Sequence, residues 1–476
     1  MRFTRFCTLA MLPAWLAVAD WKQFRGPNGS GVAGESGLPV AMSASENLQW
    51  RAPAPPGYSS PVLSDGRLFL TGYDDVRLIT ICMDRSTGKE LWRKEAPRRL
   101  DRPHKGVNTP ASPSPVTDGR NVYVLFGAYG LISYDRDGRE RWKVELAPLH
   151  MPYGPGASPV IAGDKLLLLV DQDVDSYLLA LDKDTGRTVW KSPRPEATHG
   201  FSTPVVYKPA NGPDQVIVSG SFHIASYSLA GGEKLWWVEG MAWQAKSLPV
   251  LGSLDGKDLI FVHSSMPAMH ELGPMPPEKT LAEMVTRYDA DKDGKLLQSE
   301  APDGDMKKLW FLFDLNGDKY LDEREWDIFQ ARNNGRSGLF AIRPGEKGKA
   351  PGDHILWKHD RGLPNIPSPL LYQGVLYLLR EGGILTSFEP GSGRILKQGR
   401  VEGALGDYFA SPIAADGKIY LASKEGKLAV VRAGGDWEVL KVNNLDEEIW
   451  ATPAFGAGRI FVRTQQAIYC FGLAKH

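Results

Sequence analysis

Cysteine is almost absent from this chain, with 3 residues in 476. Cys7 falls in the first segment, which leaves Cys82 and Cys470. No Cys-Cys or Cys-x-x-Cys pair exists. Cys82 and Cys470 sit in comparable strands of distant units, so both are expected to be small buried hydrophobes, not a bridge. Net charge is also missing: Lys+Arg and Asp+Glu stand at 56 each. No global field exists to attract nucleic acid or an anionic membrane. Past the N-terminus no apolar run is long enough to span a bilayer. Neither Gly-x-Ser-x-Gly nor His-Glu-x-x-His occurs. Gly29 to Gly34 formally match Gly-x-Gly-x-x-Gly, but no strand precedes them and no βαβ unit surrounds them. His263 and His270, separated by a Pro-containing loop, are expected at the surface.

The N-terminus reads as an export signal. Arg2 and Arg5 are followed by an apolar stretch from Phe6 to Val18, and Ala17-Val18-Ala19 suits cleavage before Asp20. The expected product is an exported chain, periplasmic or secreted, without a transmembrane segment and monomeric. Its 51 Gly and 35 Pro announce many turns. A small-residue–proline–aliphatic signal recurs at Pro61, Pro115, Pro159, Pro204, Pro249, Pro369, Pro412 and Pro453. The spacings are 54, 44, 45, 45, 120, 43 and 41 residues. One interval exceeds the period, which marks an insertion.

Each unit follows one plan. An alternating strand such as RLFLTG or KIYLAS follows the proline. A third strand runs into a turn such as CMDRSTGKELW or ALDKDTGRTVW, in which Asp and Thr bond the backbone and Gly supplies positive φ. The closing strand carries Trp92, Trp142, Trp190, Trp236 or Trp357, best explained by packing between units. Four short strands per unit predict an all-β, eight-bladed β-propeller. The last unit has only three strands. Asn47 to Pro53, with Trp50, supplies the missing one, so N- and C-terminal strands close one blade. The D-x-x-T-G-x-x-x-W turns, together with WKQFRGPNGSGVAG from Trp21 to Gly34, resemble the pyrroloquinoline-quinone-like (PQQ-like) β-propeller repeat proteins. That resemblance implies the fold. It leaves two activities open, because the family includes quinone-dependent dehydrogenases and non-catalytic assembly scaffolds.

The insertion divides the chain into a signal at 1–19, propeller at 20–266, insertion at 267–337 and propeller at 338–476. It lies in the fifth blade. Within it, Asp289, Asp291, Asp293, Gly294, Lys295 and Glu300 occupy positions 1, 3, 5, 6, 7 and 12 of an EF-hand calcium loop. Lys295 contributes only its backbone carbonyl. A second loop places Asp314, Asn316, Asp318, Tyr320 and Glu325 at positions 1, 3, 5, 7 and 12. There Lys319 replaces glycine at position 6, and the glycine moves to Gly317, so this site is expected to be weaker or reshaped. Between Met275 and Arg332 there are 14 acidic and 9 basic residues, which suits a cation.

Loops between second and third strands emerge on the same face as blade-to-blade connections. The insertion therefore belongs beside the channel mouth. Tyr58, Asn108, Tyr153, His199, Trp243, Asn365, Tyr408 and Trp450 are the candidate rim residues for a small-molecule or protein ligand. The favoured reading is a non-catalytic binding or scaffold protein with a Ca²⁺-binding EF-hand pair. The alternative is a PQQ-dependent dehydrogenase oxidising an alcohol or sugar. For that reading Asp407 is the one acidic residue nominated near the channel. Many alcohol-oxidising relatives hold the quinone against a disulfide of adjacent cysteines, which this chain lacks.

Overall fold

The computed structural model describes residues 20–98, 108–127, 129–151, 153–265 and 276–474. The expected signal at 1–19, and His270, lie outside the described residues. The described strands form eight sheets, seven of four strands and one of five. Successive sheets contain strands in chain order, from Val62–Ser64 through Glu90–Pro97 in blade 1 onward. This is an eight-bladed, all-β propeller with few helices. In the last sheet Leu48–Pro53 runs antiparallel to Ala467–Gly472, with Trp50 opposite Cys470. Cys82 and Cys470 are free and buried.

The recurring proline has a physical reason. It starts each innermost strand, where its fixed φ and the extended residue before it suit strand entry. The small residue before it stitches neighbouring blades. Ser60 N–H donates to Ser114 Oγ at 2.9 Å, Ser114 N–H to Ser158 Oγ at 3.0 Å, and Ser158 N–H to Thr203 Oγ1 at 3.0 Å. On the other side of the insertion, Leu248 N–H donates to Ser368 Oγ at 3.2 Å and Ser368 N–H to Ser411 Oγ at 3.0 Å. Ser411 N–H then donates to Thr452 Oγ1 at 2.9 Å. Each bond satisfies a buried backbone donor that the short inner strand leaves over.

The tryptophans stitch the outer strands. Trp50, Trp92, Trp142, Trp190 and Trp357 each donate their indole N–H to a carbonyl in the last turn of the next blade, at 2.8–3.2 Å. The Gly of each D-x-x-T-G-type turn lies flat on that ring. A Cβ at Gly88 would come within 2.4 Å of Trp50, and one at Gly393 within 2.5 Å of Trp357. Only glycine tolerates both this approach and the positive φ of the turn. Trp50 thus carries the contact from blade 8 to blade 1. Trp236 departs from the pattern, donating to Gln215 Oε1 at 3.1 Å within its own blade. Gly345, from blade 5, packs on its ring. Beside it Gly348–Lys349 adds a fifth, parallel strand to blade 4, pairing with Trp236 and Trp237.

The N-terminal stretch is a strap. Trp21 O accepts from Leu63 N–H in blade 1 and Gly31 O from Ala414 N–H in blade 7. Asn28 exchanges two bonds with Val206 in blade 4, at 2.8 and 2.9 Å. Arg25 is fully buried and donates to Pro369 O at 2.9 Å. These partners border the turns after the innermost strands, so the strap crosses the face opposite the insertion. Gly29 to Gly34 therefore serve packing in this strap. His263 differs from the surface position expected of it: it is 1% exposed, with Nε2 2.8 Å from Pro367 O. Burial pulls its pKa down to about 4.

Candidate functional site

Between Lys257–Ser264 and Gly338–Ile342, the second and third strands of blade 5, the described residues form three α-helices, α1 (Leu281–Tyr288), α2 (Asp305–Lys308) and α3 (Glu323–Asn334), and a short 3-10 helix at Trp310–Leu312. Thr280 caps α1 by accepting from Glu283 N–H, and Asp322 with Glu325 forms a capping box at α3. Leu281, Met284, Leu296, Trp310, Phe313, Trp326 and Phe329 bury one another as a separate small core. Phe313 meets Phe329 edge-on at 4.8 Å, and Trp326 lies 5.0 Å from Phe329.

The two acidic loops have nearly the same internal hydrogen bonds. Asp289 accepts from Lys292 N–H at 2.7 Å and Gly294 N–H at 2.9 Å. Asp314 accepts from Gly317 N–H at 2.8 Å and Lys319 N–H at 3.1 Å. Asp291 and Asp293 bond Asp293 and Lys295 N–H, as Asn316 and Asp318 bond Asp318 and Tyr320 N–H. Glu300 reaches back to Ala290 N–H at 2.9 Å, and Glu325 to Leu315 N–H at 2.8 Å. The loops meet through an antiparallel bridge between Leu297 and Tyr320. Both take left-handed backbone at loop positions 4 and 6: Lys292 and Gly294 at φ 62° and 82°, Gly317 and Lys319 at 76° and 79°. The second loop is thus not reshaped; its lysine adopts the conformation glycine holds in the first.

Carboxylate oxygens of Asp289, Asp291 and Asp293 lie within 4.8 Å of one another. Such a cluster of carboxylate oxygens could hold a cation. Glu325 is 1% exposed and makes no salt bridge among the described residues, and burial pushes its pKa up to about 7. Backbone N–H groups hold Glu325 and Glu300 in place, turned towards their own loops.

The module leans on the propeller through α3. Arg332 covers the Trp243 ring at 4.2 Å. Arg324 donates to Pro195 O at 2.8 Å and Ala197 O at 3.1 Å, in the connection between blades 3 and 4. Trp243 also donates to Thr198 Oγ1 at 2.6 Å.

The candidate rim residues divide in two. Tyr58 stacks on Trp450 at 4.5 Å, and Trp450 on Phe409 at 4.2 Å, a three-ring stack joining blades 1, 8 and 7. Tyr153 is half-buried beside His199, Asn108 bonds Gly154 O at 3.3 Å, and exposed Asn365 accepts from Lys246 Nζ at 2.5 Å. His199, Trp243 and Tyr408 differ from the expectation: they are 2%, 2% and 1% exposed. His199 is held between Asp173 at 2.5 Å and Gln244 at 3.0 Å, and Tyr408 donates to Ala404 O at 2.6 Å. Their polar atoms are spent inside the wall.

A regular ring was missed. The residues three before each repeat proline are Tyr58, Ser112, Gly156, Phe201, Lys246, Ile366, Phe409 and Trp450, and every one is half-buried. A constant offset from the proline would have found them. Lys246 is the ring's one cation, and burial pulls its pKa down to about 8. Asp407 is exposed, its N–H donating to Glu425 at 3.1 Å.

Residues 34–265 match the family model described as outer membrane protein assembly factor BamB. Outer membrane protein assembly factor BamB of Alkalilimnicola ehrlichii is 30% identical over 154 residues, covering 32% of this chain. The match spans 36% of that relative's length. Among solved structures, a europium-containing methanol dehydrogenase aligns with TM-score 0.59 at 11% identity, over 96% of this chain and 98% of that one. The quinohemoprotein alcohol dehydrogenase ADHIIG of Pseudomonas putida HK5 aligns with TM-score 0.57 at 12% identity, over 96% and 81%. At such identities these structures share the fold alone. The matches support a PQQ-like β-propeller.

Proposed function

We propose that this chain is an exported, non-catalytic binding or scaffold protein, whose eight-bladed ring carries a calcium-clamped EF-hand pair beside the channel mouth. The carrying observation is the near-identity of the two loops. The same backbone donors hold carboxylates at positions 1, 5 and 12 in both, with an Asp or Asn at position 3. Asp289, Asp291, Asp293, Glu300 and the Lys295 carbonyl would hold one Ca²⁺; Asp314, Asn316, Asp318, Glu325 and the Tyr320 carbonyl would hold the other. The ion would balance the charge of carboxylates that make no salt bridge among the described residues, and so would stiffen the module. The half-buried ring around Tyr58, Phe409 and Trp450 would take the ligand, a protein segment or a small molecule. The match of residues 34–265 to an assembly-factor family supports the scaffold reading.

Calorimetric titration with Ca²⁺ tests the module. Glu300→Gln with Glu325→Gln is expected to abolish the binding heat and leave the strand circular dichroism intact. Undiminished Ca²⁺ uptake by that variant would refute the assignment. For the quinone alternative, the described cysteines do not fit a stacking disulfide, since Cys82 and Cys470 are buried in blades 1 and 8. Stoichiometric uptake of pyrroloquinoline quinone with dye reduction would replace the scaffold reading by the dehydrogenase one.

A further inference from the structure

A cleft of about 910 Å³ lies away from the channel ring, between α3 and the outer edge of blade 4. It falls within the roughly 300–1,000 Å³ that encloses small ligands. Its floor is apolar: Phe222 and Ile328 are 7% and 6% exposed. Trp237, half-buried on the fourth strand of blade 4, lines one side. Lys234 Nζ sits 4.7 Å over its ring, and its indole N–H donates to Glu239 at 3.1 Å.

The polar lining is dense and balanced. Lys234 pairs with Glu196 at 2.6 Å, and Lys349 with Glu239 at 2.6 Å. Arg324 and Asp327 face them from α3. Three cations therefore meet three anions. His223, also in the lining, has Nε2 3.2 Å from Glu196, and burial lowers its pKa. A ligand with net charge would gain from one partner and be repelled by the next. A wholly apolar ligand would strip water from two ion pairs without replacing its hydrogen bonds. A polyhydroxylated, neutral ligand meets both demands. Its hydroxyls donate to Glu196, Glu239 and Asp327 and accept from Lys234, Lys349 and Arg324, while its C–H face rests on the indole.

We infer that the cleft between α3 and blade 4 is a binding site for a short neutral oligosaccharide, with Trp237 as its platform and Asp327 as a hydroxyl acceptor. Trp237 belongs to the propeller, so the site is separable from the calcium reading.

The test is calorimetric titration of the full chain with maltotriose, cellotriose and tri-N-acetylchitotriose, beside a galacturonan trimer and a chitosan trimer. At least one neutral trisaccharide is expected to saturate a single site, with both charged trimers about tenfold weaker or worse. Trp237→Ala should weaken binding at least about tenfold. Asp327→Ala, on an exposed helical position, should weaken it without affecting the fold; it carries the test if Trp237→Ala does not fold. Ser45→Ala, at an exposed position outside the cleft lining, should leave saccharide binding unchanged. Failure of all three neutral sugars to bind, preference for a charged trimer, or affinity indifferent to both cleft variants would overturn the inference.

Discussion

The two loops can be made to exchange their one backbone anomaly. Lys319 is exposed at φ 79°, in the place Gly294 holds at φ 82° in the first loop. Left-handed backbone costs a residue with a Cβ about 1–2 kcal/mol. Glycine in turn costs roughly 0.5–1 kcal/mol through unfolded-chain entropy. The difference leaves Lys319→Gly stabilising by about 0.5–1 kcal/mol. The reverse change, Gly294→Lys, should destabilise by a similar amount. A Cβ at Gly294 meets nothing within 4 Å, so no clash confuses the comparison. Hydrogen exchange followed by mass spectrometry reads local opening directly. At saturating Ca²⁺, protection across residues 314–334 should rise about two- to fivefold in Lys319→Gly. Protection across residues 289–300 should fall by a similar factor in Gly294→Lys. Unchanged protection in both variants, or the opposite signs, would refute the conformational argument.

Removing one inter-blade bond should be costly. Ser411→Ala leaves the buried Ser368 N–H without its 3.0 Å partner, a loss of about 1–3 kcal/mol seen as a lower thermal midpoint. The equivalent change at exposed Ser45 should have no measurable effect. Lys246 predicts a pH dependence. Its folded pKa, about 8, lies below the ordinary lysine value, so the folded chain binds fewer protons than the unfolded one between about pH 8 and 10.4. The penalty for burying its charge is full below pH 8 and fades as pH rises through that window. Lys246→Met should therefore be more stabilised relative to the natural chain at pH 7 than at pH 10, by thermal unfolding. An equal difference at both pH values would contradict the assignment.

The propeller was legible because its blades repeat small physical tasks. A proline starting each inner strand, a hydroxyl before it, and a glycine lying on the neighbouring tryptophan leave a periodic trace. The trace lapses at Leu248 and at Trp236, both bordering blade 5. There the extra strand at Gly348–Lys349 and the packing of Gly345 take over. The strap from Trp21 to Met42 was not legible as structure, since its partners lie hundreds of residues away: Arg25 bonds Pro369, and Met42 bonds Asn443. The segments before each proline were partly legible. Aromatic and amide residues were visible near each proline, but composition could not separate Tyr58 and Trp450, which face one another, from Tyr408 and Trp243, spent on internal bonds. His263 shows the same limit. Its burial comes from a carbonyl at Pro367, more than a hundred residues on.

Binding stoichiometry tests the central claim most directly. The full chain, stripped with a chelator and titrated with Ca²⁺ against a chromophoric indicator, is expected to take up two ions per chain. The Asp289→Ala variant should take up one, because Asp314 to Glu325 form a second, intact set. Uptake of none by the natural chain, or an undiminished two by Asp289→Ala, would contradict the account.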